Sequence, residues 1–283
     1  MDHTYADLAS RVEPKLGWEV ATILVTVKAY PAIGRRNGEA VCVAGVRIDG
    51  GQPRWIRLFP VPFRGLSKAQ QFKKYQVISL RVKPHPSDHR PESYRPDLES
   101  MMTGPVLDTT KGWGDRWELL KDLAGETTSC KLLTDSKSKH RAAPSLGLIK
   151  PAKIHNIEVT PNPEYDPTTP TTENEDLFGT ITEALQATPF LAKYHYYCLA
   201  VECAGHNQSI VDWESGQFAR RNLRTMSQAD AIEAHKEKFL NQMCSPARDV
   251  YFYLGNQHNY LSSFLVLGVF WPPAGKRPAD TLF

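Results

Sequence analysis

Hydrophobic positions in this chain fall in short β-branched runs cut by proline and glycine, not in long helical stripes. Residues 18–27 (WEVATILVTV) predict a core strand. The loop YPAIGRRNGEA follows, with Pro31, Gly34 and Gly38 as breakers. Residues 40–48 and 54–59 predict two strands joined through Asp49-Gly-Gly-Gln, the strongest hairpin signal in the chain. Ser67 is positioned to cap a short helix over 67–72, and YQVISLRV (75–82) alternates as a fourth strand. Four short strands with a hairpin suggest a small curled sheet or a barrel of the OB kind.

From Lys83 the pattern lapses into a proline-rich loop, KPHPSDHRPESYRPD. Trp113, Trp117, Leu120 and Leu123 form a helical stripe. Residues 126–143 are polar and basic, and 146–159 regain strand character with a bend or edge at Pro151. The stretch 160–176 (TPNPEYDPTTPTTENED) lacks apolar periodicity and reads as a linker or long loop. Beyond it we expect a helix over 177–191, a strand from Tyr194, and a helix capped by Asp212. A further helix over 227–243 and strands over 249–254 and 263–271 complete the chain. The expected fold class is therefore α+β: two packed β-rich halves, the first a small OB-like barrel or curled sheet, the second strands with two helices. The expected division is 1–159, a 160–176 linker, and 177–283.

Composition agrees with a folded chain: 41% hydrophobic, 23% charged and 21 prolines, which favour loops and strands over a bundle. No 18-residue apolar run predicts a membrane helix, and the N-terminal MDHTYADLASRVEPK lacks the apolar stretch of a signal peptide. Five irregularly spaced cysteines do not make a disulfide framework, so a reducing cytoplasm is expected. The net charge is only +3, yet residues 28–95 hold 14 Lys/Arg against 4 Asp/Glu, while 154–192 hold 7 acids and no Lys or Arg. These read as two differently employed surfaces.

Candidate chemistry follows from this division. In the first half Arg35, Arg36, Arg54, Trp55, Arg57, Arg64, Lys73, Lys74, Tyr75, Arg90, Tyr94 and Arg95 interleave cations with aromatics. Cations bind phosphates and ring faces stack on unpaired bases, so the mixture suits a nucleic-acid groove; a soluble barrel with solvated arginines is the plain alternative. Asn256, Gln257 and His258 form a polar tip between two apolar strands that can read base edges or hold a small ligand. His206, Asp212 and Glu214 are candidate ligands for a catalytic divalent cation, although Asp212 is equally a helix N-cap and no lysine closely follows the pair. Cys198, Cys203 and His206 also have a zinc-like spacing, with a fourth ligand required from His195, Cys244 or His258. On a continuous strand the two cysteines would face opposite ways. No phosphate-binding loop, dinucleotide fingerprint or G-x-S-x-G elbow occurs, which excludes those nucleotide motors and hydrolases.

The stretches ILVTVKAYP (23–31), EAVCVAGVR (39–47), RWIRLFPVPFR (54–64), FKKYQVISLRV (72–82), HRPESYRP (89–96), CAGHNQSIVDWE (203–214) and YLGNQHNYLSSFLVLGVFWPP (253–273) span most of the chain. Through them it resembles a family of uncharacterised bacterial proteins. The first half also looks like the bacterial dual OB-containing domains, a resemblance that implies a nucleic-acid-associated or phage-defence role. No catalytic residue is implied. The expectation is a DNA- or RNA-binding protein, with a protein partner as a further candidate, no membrane and no cofactor. One alternative is a metal-dependent nuclease or phosphodiester hydrolase, which would need a divalent ion; the other is a structural adaptor docking through the acidic 154–192 segment.

Overall fold

The β-branched runs of the first half do what their pattern predicts, and one strand with little strand propensity completes them. The structure is a computed structural model and describes residues 3–29, 41–68, 70–168, 173–175, 181–183 and 187–275, omitting the side chains of 3–4, 64, 173–175 and 181–183. A short helix α1 (His3–Ser10) leads to β1 (Glu19–Lys28), β2 (Val41–Arg47), β3 (Arg54–Val61), β4 (Gln76–Pro84) and β5 (Ser93–Val106). These five strands close a barrel in the order β1-β2-β3-β5-β4. All pairings are antiparallel except β3 with β5, which run parallel. That order and that one parallel pair are the arrangement of an OB barrel.

Ala21, Ile23, Val25, Val43, Ile56, Leu58, Ile78 and Leu80 fill the barrel, plugged by Phe72 and Met101. The opposite faces of β1 and β2 are buried too. Leu24, Val27, Ala44 and Val46 join Trp113, Leu146, Tyr253 and Phe270 in a second cluster. Burial on both faces explains why residues 20–27 are mostly apolar, with only Thr22 and Thr26 between them, and do not alternate.

After the barrel come α2 (Gly114–Leu120) and α3 (Ser129–Lys139), then β6 (Leu146–Ile149) and β7 (Pro151–Pro161). A small hairpin, β8 (Glu173–Glu175) with β9 (Ile181–Glu183), precedes β10 (Phe190–Cys198) and β11 (His206–Ser209). Helices α4 (Trp213–Leu223) and α5 (Gln228–Lys236) follow, and then β12 (Tyr251–Gln257) and β13 (Tyr260–Phe270). They form two sheets, β11-β10-β7 and β13-β12-β6. The proline at 151 breaks the expected strand 146–159 into two, one for each sheet. Tyr194 stacks on Phe252 at 4.6 Å, and Tyr196 meets the same ring edge-on at 5.1 Å, which packs the sheets together.

The structure corrects several local expectations. The loop expected from Lys83 narrows to 85–92, because SYRPDLESMMTGPV pairs with β4 as the fifth strand. No helix forms over the described residues of 67–72; the amides of Gln70 and Gln71 bond to the Ser67 carbonyl as a turn. The polar stretch 126–143 contains α3, capped where the Thr128 hydroxyl accepts from the Lys131 amide. Of the helix expected over 177–191, Ile181–Glu183 is a strand and β10 starts at Phe190, while 177–180 and 184–186 lie outside the described residues. Asp212 caps α4 as expected, and α5 begins where the Ser227 hydroxyl accepts from the Asp230 amide.

Candidate functional site

The proline-rich loop 85–92 is held to the β12–β13 hairpin by a buried polar clamp. Arg90 donates through Nε (2.9 Å) and Nη2 to the two oxygens of Asp88, and Ser93 adds a hydroxyl at 2.8 Å. Its other arm, Nη1, donates to the Asn256 carbonyl at 2.7 Å and to the Asn256 side-chain oxygen at 3.0 Å. Asn256 in turn donates to the Leu261 carbonyl across the hairpin tip, and His258 Nδ1 lies 3.3 Å from Asp88. Burial disfavours the Asp88 carboxylate, but Arg90 and Ser93 hold it ionised well below the usual range.

Next to this clamp a cleft of about 950 Å³ opens between barrel and second half. Phe59 and His85 line the barrel side, Gln257, His258 and Tyr260 the hairpin side, and Lys193 and Leu191 the β10 side. Tyr260 is 68% exposed, an aromatic face presented to solvent. The floor is apolar, with Ile210, Val211, Ala219, Leu265 and Leu267. Among the described residues, two buried nitrogens in the lining have no hydrogen-bond partner, Arg57 Nε and His235 Nδ1. Arg57 is otherwise fixed by Ser145, whose hydroxyl and amide are held by Glu92. His235 bonds to Ser215 at 3.0 Å and stacks on Phe239 at 4.5 Å. Its burial lowers its pKa to about 4, so the ring is neutral at pH 7.

A second, smaller hollow of about 440 Å³ is lined by Lys74, Tyr75, Asp212, Glu214, Arg116 and Trp271. Lys74 Nζ sits 3.4 Å from both Asp212 and Glu214. Burial works against the ammonium, but the two carboxylates outweigh it and hold its pKa well above the ordinary value. Asp212 also accepts from the Glu214 amide at 3.0 Å, so one carboxylate caps α4 and ties the helix to the barrel.

The predicted residues thus divide. Arg57, Arg90, Asp212, Asn256, Gln257 and His258 share the large cleft, and Lys74, Tyr75, Asp212 and Glu214 the small one. Arg54, Lys73 and Arg95 are exposed, away from both. Trp55 packs edge-on against Tyr253, and Tyr94 lies under Arg47. Arg35 and Arg36 lie outside the described residues, as does the side chain of Arg64. Much of the basic excess is spent internally: Arg47, Arg81 and Arg90 pair with acids, as Lys74 does, and Arg57 is buried against Ser145.

His206 stands apart from Asp212 and Glu214. Among the described residues the group able to share an ion is Cys130, Cys198, Cys203 and His206, whose ligand atoms all lie within 4.8 Å of one another. The fourth member, Cys130, carries no spacing signal because it lies far away in the chain, in the first turn of α3. The strand-parity objection lapses because β10 ends at Cys198 and the chain turns before β11, with Gly205 at φ +95°. Burial raises both Cys130 and Cys198. The amides of Ala200 and Cys130, with His206, nevertheless bring Cys198 down to about 6, while Cys130 stays near 12.

A model of a domain of unknown function, DUF8757, matches residues 125–283, and a model of another, DUF8758, matches residues 19–122. No curated protein matches the chain. One solved structure to which it is similar is a murine DNA-binding protein bound with double-stranded DNA, at 9% identity, covering 89% of this chain and 97% of that one with a TM-score of 0.27. A score of that size does not establish a common fold.

Proposed function

The chain belongs to the family defined by the domain of unknown function DUF8757, and we propose that it binds nucleic acid by taking unpaired bases into the cleft beside the 85–92 loop. The observation that carries this is the cleft's place and lining. It opens beside the β4–β5 loop of a barrel with OB strand order, a loop such barrels use to bind oligonucleotides. An apolar floor, the faces of Phe59 and Tyr260, and the amide and imidazole edges of Gln257 and His258 suit inserted bases. Lys193 at the rim supplies a cation for the phosphates. The clamp of Arg90, Asp88 and Asn256 holds the two walls in register before a ligand arrives. Recognition within a larger defence or processing system is the setting the family resemblance implies for such a binder. The hydrolase reading loses its centre, since Asp212 serves as cap and ion-pair partner and His206 stands with the cysteines.

Fluorescence polarisation with single-stranded DNA, single-stranded RNA, duplex and abasic oligonucleotides across a salt series tests the reading. We expect single strands to bind best, with affinity falling as salt rises. Tyr260→Ala and Lys193→Glu should each cost about tenfold. Equal binding of the abasic strand, or no binding at low salt, would rule out base capture in the cleft.

A further inference from the structure

We propose that Cys130, Cys198, Cys203 and His206 hold a structural zinc ion that pins α3 to the β10–β11 turn. The donor set is three thiols and one imidazole, the soft sulfur-nitrogen combination of closed zinc sites and unsuited to magnesium or calcium. The geometry fits without large movement. Tetrahedral zinc with bonds of about 2.0–2.3 Å places its ligand atoms roughly 3.5–3.8 Å apart, and these four atoms already lie within 4.8 Å of one another. His206 Nε2 and Cys130 Sγ are 3.5 Å apart, which is ligand-to-ligand spacing.

The surroundings are those of a built site. Cys198 is buried and the other three ligands are partly buried. The Cys198 amide donates to the Cys203 sulfur at 3.3 Å, a contact that stabilises a thiolate and sets the turn. His206 lies against the Tyr196 ring at 5.2 Å, and Tyr196 bonds to both Ser129 and Gln208. The residue before Cys130 and a strand residue near His206 are thereby held by one buried phenol. Four donors leave no open position for water, so the role is structural and not catalytic. The ion would join a helix N-terminus to a turn whose flanking residues Leu199 and Val201 are exposed and contribute little packing of their own. On binding, zinc replaces the thiol protons and is neither oxidised nor reduced.

The test is elemental analysis of the full chain, purified under reducing conditions without a metal-affinity tag. About one zinc per chain is expected. Cobalt substitution should give the intense visible bands of a tetrahedral thiolate site, and X-ray absorption should fit three sulfurs and one nitrogen. The double substitution Cys198→Ser with Cys203→Ser should lower the zinc content at least about fivefold. The wild-type cobalt spectrum and absorption data decide the matter if that variant fails to fold. Less than about a tenth of a zinc per chain after growth with added zinc, or a cobalt spectrum without thiolate bands, would overturn the proposal.

Discussion

His235 shows how one residue can be placed by its neighbours with no signal of its own. It sits on α5 among Phe190, Phe218 and Phe239, with its Nε2 hydrogen-bonded to Ser215. Its pKa falls from 6.5 to about 4 because burial penalises the cation. As pH drops below about 6.5 the unfolded chain takes up this proton while the folded one does not. This contribution is therefore intact above that pH and is lost toward pH 4, at most roughly 1.4 kcal/mol per unit. His235→Phe should flatten that part of the curve, seen as a smaller loss of melting temperature between pH 7 and pH 5 than in the wild type. Asp212 is the contrasting case, since a carboxylate before an amphipathic segment reads as a cap from sequence alone. Its second partner, Lys74, lies in the other half, and no spacing rule reaches that far.

Elements with strong local patterns were legible and those defined by partners were not. The β-branched runs became β1 to β4, and the Asp-Gly-Gly link became the hairpin between β2 and β3. The start of β5 resembles a loop in sequence because its prolines and acids are loop chemistry, yet β3 and β4 present free edges that its backbone completes. The 85–92 loop and the β12–β13 tip looked independent and are one structural unit through Arg90. Arg90→Ala should leave Asp88 buried without its guanidinium, with Ser93 and His258 beside it, and cost about 3 kcal/mol. Urea unfolding would measure that loss, and hydrogen exchange should show faster opening at 256–261 than at the barrel strands. Arg90→Lys should not rescue it, because a single ammonium cannot reach both Asp88 and Asn256.

At the scale of the whole molecule the two halves share one core. Leu24, Val46 and Tyr75 of the first pack with Leu146, Tyr253 and Phe270 of the second, and Arg57 reaches Ser145 across the same boundary. Residues 1–123 and 124–283 expressed separately should each be insoluble or molten. Co-expressed, they should assemble, and the intact chain should unfold in a single calorimetric transition. Two soluble halves with independent melting would refute that coupling.

The amino-acid sequence alone determined the β-rich class, the barrel's first strands, the cap of α4, and a polar tip between two buried strands, because periodicity and capping act over a few neighbouring residues. Tertiary structure alone decided which cations are spent on buried acids, that Cys130 meets Cys198, Cys203 and His206, and that loop and hairpin frame one cleft. Those contacts join positions far apart in the chain, and only closing the barrel and packing the sheets against it brings their side chains within reach.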